Sequence, residues 1–533
     1  MNSDRRDFFR RAGSWGAASL ALPGASHAAS AMTASPLPAG HAWNVRDYGA
    51  RGDGHSLDTA AINRAIAAAA KAGGGRVYFP AGSYLSYSVH LQSRITLHLG
   101  EGAVLIAADS PPAGQPGGFD LPEPNPAAKH YEDFGHRHWH NSLIWGVGLQ
   151  DVAILGPGLI WGLGLSKGYG PGPNARQPGV GNKSIALKNC RNVLLRDFQI
   201  LHGGHFGILA TGVDNLTIDN LKIDTNRDGM DIDCCRNVRI VNTSVNSPWD
   251  DGICLKSSYA LGFPRPTEWV TIANCFVSGG FMEGTLLNGT FRPFPSGQRA
   301  FHTGRIKCGT ESTGGFMNIA ISNCIFENCQ GLALETVDGA HLEDITVTNL
   351  TMRNISSAPL YLRLGRRMRA PAGTQIGRLR RVTISNVSCH GADPRLCSII
   401  SGIPGHLIED VRLNDILIEH RGDPVVADAH RQPPERQRGY PGPGRTGPMP
   451  AHGFFIRHAR GVSMSNIEVR AQGDDARAAF VLNDVENAAF FHIQATPARP
   501  AFRLRAVRRF QLAQSWPWPE HRIMDAKKEE IAG

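Results

Sequence analysis

NVLLRDFQI (192–200), NLTIDNLKI (215–223) and NVRIVNTSV (237–245) decide the fold. Each alternates apolar and polar residues around an Asn or Asp, the period of a strand and not of a helix. They begin at 192, 215 and 237, so the steps are 23 and 22 residues. The pattern returns as WVTIANCFV (269–277), NIAISNCIF (318–326), DITVTNLTM (344–352), RVTISNVSC (381–389), DVRLNDILI (410–418) and GVSMSNIEV (461–469). Longer steps there imply loops inserted at corners. A unit this short cannot bury its own apolar face, so successive units must stack and share one core. The expected fold is all-β, a single-stranded parallel β-helix with coils about 4.8 Å apart. Asparagines at equivalent positions should form hydrogen-bonded ladders. A β-propeller needs roughly 40–50 residues per blade, more than the early steps supply.

The flanks fit this plan. SLDTAAINRAIAAAAKAGGG, starting at Ser56, reads as a helix capped by Asp58 or Ser56 and ended by glycines. Such a helix closes the open end of a solenoid, where unpaired backbone invites aggregation. Residues 422–452 are rich in Pro and Gly and read as a long loop, because the coil pattern resumes after them. The dense basic run LRLGRRMRAP (362–371) reads as a solvated turn. At the start, Arg5-Arg6, a weakly apolar stretch and ASHA ending at Ala28 have the form of a twin-arginine export signal. The expected layout is a signal over 1–28, a linker over 29–42, a β-helix catalytic domain over 43–514 and a loose polar tail over 515–533. No later run is apolar enough to span a membrane, so a periplasmic or secreted monomer is expected. The net charge of +9 suits an acidic partner. There are ten Cys and no C-x-x-C zinc pattern; in ISNCIF and IANCFV they stand where small buried hydrophobes belong.

The stretch DTNRDGMDID (224–233) begins like a calcium loop, with Asp224, Asn226, Asp228 and Gly229 in place. The twelfth position, which needs an acidic ligand, is Cys235, and the flanks are strands. No metal or other cofactor is expected. Asp228-Gly229 recurs as Asp251-Gly252 after 23 residues, the step already found in the strands. Asp228, Asp250 and Asp251 should therefore meet on one face. Glu283, in EGTLL (283–287), should lie one coil further, with Arg305 and Lys307 beyond it. Stacked carboxylates raise one another's pKa. One protonated acid beside an ionised one is what glycoside hydrolysis requires.

TNRDGMDID, SPWDDGICLKS and GRIKCGTES resemble, in order, the active-site motifs of glycoside hydrolase family 28, the polygalacturonase family. VRDYGARGDGHSLDTAAINRAI with GGGRVYFPAGSY is similar to the opening of pectin-degrading right-handed β-helices. The resemblance spans roughly residues 43 to 495. It implies Asp250 as general acid, and Asp228 with Asp251 as the base that activates water. It implies inversion at the anomeric carbon, hence a wide gap between carboxylates. Arg305 and Lys307 would grip a galacturonate carboxylate, and Asn226 would lie beside the substrate. Trp249, next to Asp250, reads equally as a stacking face for a sugar or as a packed corner aromatic. The implied partner is an acidic polysaccharide or oligosaccharide such as pectin, galacturonan or rhamnogalacturonan, with neither nucleic acid nor membrane involved. One element departs from the pattern. Where the family has Gly-His-Gly, this chain has Met282-Glu283-Gly284, an anion that would repel a uronate. That departure, with the insertions SSYALGFPRPTE and GTFRPFPSGQRAFHT, points to exo action or a modified backbone. A rhamnogalacturonan hydrolase, a calcium-dependent pectate lyase and a non-catalytic glycan-binding β-helix are the alternative readings.

Overall fold

The computed structural model describes residues 42–168, 172–294, 302–421, 428–473, 475–496 and 500–532. The export signal and nearly all of the linker lie outside the described residues. The chain winds as a right-handed parallel β-helix. Its strands pair in parallel with those one coil before and one coil after, which excludes the propeller. One inward column shows the register. Ala210, Ile232, Leu255, Cys308, Leu334, Leu362, Ile400, Ile456, Leu482 and Leu504 stand above one another on successive coils, and all are buried. Each aliphatic side chain placed in this column contributes about 1.5–3 kcal/mol, which is why no coil is stable alone. Near the end Phe454, Phe480 and Phe502 stack face to face, with ring centroids 5.8 and 4.7 Å apart.

The asparagine ladders form at the corners. Asn215 donates to Asn192 at 2.9 Å and Asn237 to Asn215 at 2.8 Å. A second ladder runs through Asn274, Asn323, Asn349 and Asn386. These residues take positive φ, near 55°, a conformation that Asn tolerates better than most residues.

The helix covers Thr59–Lys71 and turns Ile62, Ala65, Ile66 and Ala69 into the open end of the core. Asp58 is its N-cap residue by position, but its carboxylate accepts from the backbone of Arg51 and Gly52 instead. The ten cysteines are buried and unbridged.

The C-terminal segment differs from the expected loose tail. His521–Ile531 form a strand that pairs antiparallel with Phe502–Ala513. It covers the exposed edge of the last coil and buries only Ala526 and Ile531, so its composition disguises it. The basic run also differs from a solvated turn. Arg363 is buried, Arg367 pairs with Asp338, and Arg369 donates to the carbonyl of Tyr131 at 2.8 Å.

Candidate active site

The site grows from two neighbouring coils. The strands Asp228–Asp233 and Ile253–Ser257 pair through Met230↔Ile253 and Asp231↔Cys254. A β-carbon on Gly229 would lie 2.4 Å from the carbonyl oxygen of Gly252. The glycine therefore lets the two coils approach closely just beside Asp228. One oxygen of each of Asp228, Asp250 and Asp251 lies within 4.8 Å of the other two. The three acids thus converge. Asp250 and Asp251 are neighbours on one coil and Asp228 stands on the coil before, which brings the three side chains together.

Their surroundings differ. Burial, then the charges of Asp231 and Asp250, pushes the Asp228 carboxyl well above the ordinary range. Burial acts the same way on Asp251, but Lys307 and Arg305 outweigh it and bring that carboxyl down to about 2. Asp250 is the most open of the three, with 26% of its side chain exposed against 4% for Asp251. Its Oδ2 accepts from Arg227 Nη2 at 2.6 Å and Nε at 3.1 Å.

Arg305 and Lys307 follow in the next coil, where Ile253 pairs with Ile306 and Cys254 with Lys307. Arg305 donates to Asp251 at 2.8 Å and Lys307 at 3.1 Å. Both also lie 3.8 Å from the buried Glu335. The Tyr440 hydroxyl stands 3.3 Å from Lys307 Nζ. These cations are enclosed by carboxylates and a phenol.

Glu283 does not continue the face. Phe281–Glu283 pair antiparallel with Arg292–Pro293 in a separate ribbon, and Glu283 is exposed. The segment after Ser278 is an excursion, and the coil resumes at Gly304, whose N–H donates to the carbonyl of Asp250 at 2.9 Å. The residue that leads into this coil is His302. Its Nδ1 lies 3.2 Å from the carbonyl oxygen of Gly279, and its ring packs edge-on to Phe294. Spacing alone hides His302, because the excursion separates it from the preceding strand. Trp249 is half-buried, its ring 6.5 Å from that of Phe294. Asn226 is half-buried beside it, its carbonyl accepting from the Trp249 N–H at 3.1 Å.

A second set of charges lies under covering segments and carries no signal in the sequence pattern. Asp231 is fully buried, 3.2 Å from His136 and 3.7 Å from Lys256. Lys256 also meets Glu311 at 2.8 Å. His136 belongs to a strap that includes Glu132, which accepts from the Tyr259 N–H at 2.8 Å. Further along, Arg363 and Arg457 donate to the carbonyls of Glu435 and Pro433, pinning the loop that carries Tyr440. Asp224 and Asp233 are supports: Asp224 accepts from Thr285 and the Leu286 N–H, Asp233 from Ser258.

Comparison with known proteins agrees with the fold. Residues 42–115 match the family described as rhamnogalacturonase A/epimerase, pectate lyase-like, and residues 183–376 match the right-handed β-helix region. The chain is similar to a probable polygalacturonase of Vitis vinifera, 25% identical over 336 residues, which cover 60% of this chain and 62% of that one. It is similar to an exo-poly-alpha-D-galacturonosidase of Dickeya chrysanthemi, 23% identical over 372 residues, covering 60% and 56%. The chain therefore spans less than two thirds of the length of these relatives. Among solved structures, an exopolygalacturonase from Thermotoga maritima superposes with a TM-score of 0.59 at 20% identity, covering 81% of this chain and 93% of that one; this shows the fold.

Proposed function

We propose that this chain is a glycoside hydrolase acting on pectin-type acidic glycans and cleaving galacturonosyl linkages by acid/base hydrolysis. The observation that carries the reading is the convergence of Asp228, Asp250 and Asp251 in three different environments. Asp250, the most open, gives its proton to the glycosidic oxygen as the bond to C1 breaks. A water adds to C1, and Asp251, held ionised, takes its proton. Asp228 completes the pocket for that water. Trp249 and Asn226, next to these acids in the chain, are the residues proposed to meet the sugar. The similarity to polygalacturonases supports the substrate class. Inversion rests on the family resemblance alone, and the anomer released, read by proton NMR, tests it.

Exo action is the finer reading. The strap around His136 and the loop around Tyr440 both rest on the wall that carries the acids, a setting that favours cleavage from a chain end. Digestion of homogalacturonan, rhamnogalacturonan and short galacturonides, with products sized over time, tests it. Monomer from the first time point supports exo action; a ladder of intermediates contradicts it. Export rests on Arg5, Arg6 and the site at Ala28. A mature protein that retains residues 1–28 after secretion would contradict it. Among the described residues no helix is long and apolar enough to cross a membrane. A monomer in solution is part of the same proposal.

The three carboxylate oxygens are also spaced as ligands to a divalent cation would be, which is the feature a lyase would use. Arg227 already supplies positive charge to Asp250, and Arg305 and Lys307 to Asp251, so hydrolysis is the reading preferred.

A further inference from the structure

The cationic pair expected to hold a uronate carboxylate is already committed. Arg305 and Lys307 are 4% and 2% exposed and face Asp251 and Glu335, two cations against two anions. The third donor direction of Lys307 is taken by Tyr440. Binding a substrate carboxylate there would strip Asp251 of the partners that keep it ionised. A different cation, 16% exposed, contacts the most exposed of the acids. Arg227 lies one coil below Asp250, its side chain reaches Asp250 Oδ2 through two nitrogens, and it also lies 3.4 Å from the carbonyl oxygen of Lys167. Asp250 is the more open partner, so this pair is the one that a ligand can reach. A guanidinium that holds one carboxylate through two N–H groups is equally shaped for another.

We infer that Arg227 is the specificity-determining residue for a uronate substrate. In this account, which rests on the hydrolase reading above, the sugar carboxylate takes the place of Asp250 on Arg227. The exchange does two things at once. It selects an acidic sugar, and it releases Asp250 from the guanidinium so that its carboxyl is free to turn toward the substrate. An uncharged sugar would leave the Arg227–Asp250 pair closed.

Equilibrium binding of trigalacturonate and of its methyl ester, which lacks the charge, tests this with the full chain. The parent should bind the acid more tightly than the ester. Arg227→Gln should weaken the acid by about ten- to hundredfold, the range of a charge-assisted contact, and leave the ester unchanged. Arg227→Lys, which keeps a point charge, should fall between. Asp250→Asn removes the competitor and should bind the acid more tightly than the parent, while the double variant returns to the level of Arg227→Gln. Equal losses for acid and ester, unchanged affinity in Arg227→Gln, or a loss of turnover with KM unmoved would each overturn the inference, the last reducing Arg227 to a residue that only positions Asp250. A parent that binds neither probe would overturn the hydrolase reading as well; an Arg227 variant that binds the acid as the parent does overturns only this step.

Discussion

Arg305 donates its Nε–H to Asp251 Oδ1 at 2.8 Å, so the cation expected at the substrate is holding the aspartate proposed as the base. With Lys307 it sets the charge state of that acid. Replacement of Lys307 by Met should let burial prevail and raise the Asp251 pKa. Because Asp251 works ionised, the acidic limb of the kcat profile should move to higher pH, while the alkaline limb stays. An acidic limb that does not move would separate Lys307 from Asp251. The sign for stability is the same. Asp251 is held down to about 2 when folded, against about 3.9 for a free aspartate. Its contribution is present above the unfolded value and is lost as pH falls toward the folded one.

Asp228 has the opposite sign. Burial and the charges of Asp231 and Asp250 raise its carboxyl, so the folded state resists an ionisation that the unfolded chain undergoes near pH 4. Stability from this group is complete below that pH and declines as pH rises through the folded value. Asp228→Asn should therefore raise the melting temperature at pH 7, with the gain vanishing near pH 4, while turnover is lost. Melting curves of both proteins across pH check this; a gain that is the same at every pH would mean a packing effect.

Asp250→Asn should abolish turnover, by about 10²–10⁴-fold for loss of a general acid, while the glycan still binds. Measurable turnover at the parent rate would remove Asp250 from the proton-donor role.

The ten cysteines are buried and free. A thiol reagent should label almost none of them in the native protein and all ten after denaturation, and a reductant should leave the melting temperature unchanged. A drop in melting temperature with reductant would reveal a bridge. The nearest candidates are Cys275 and Cys324, at stacked positions next to the paired Phe276 and Ile325.

Much of this architecture is legible from spacing. The 23-residue step of the strands and the 23-residue step from Asp228 to Asp251 coincide because both are one coil. That register is enough to bring the acids to one face. The same reasoning misplaces Glu283. EGTLL looks like the next strand, but the excursion after Ser278 leaves the coil and returns only at His302 and Gly304, and local alternation carries no sign of which segment closes the coil. The strap with His136 has no periodicity, and its partner Asp231 is distant in sequence. The closing strand His521–Ile531 is mostly charged, because one face of it meets solvent. Arg227 is visible in the sequence but silent there, since its reach to Asp250 depends on a side chain crossing between coils.

The most direct test of the central claim is to incubate polygalacturonate with the protein and follow new reducing ends together with near-ultraviolet absorbance, with and without a chelator. Hydrolysis by the three aspartates predicts reducing ends that accumulate at flat absorbance, are indifferent to the chelator and are absent in Asp250→Asn. Rising absorbance that the chelator stops would mean elimination by a cation bound at Asp228, Asp250 and Asp251, and would contradict the account.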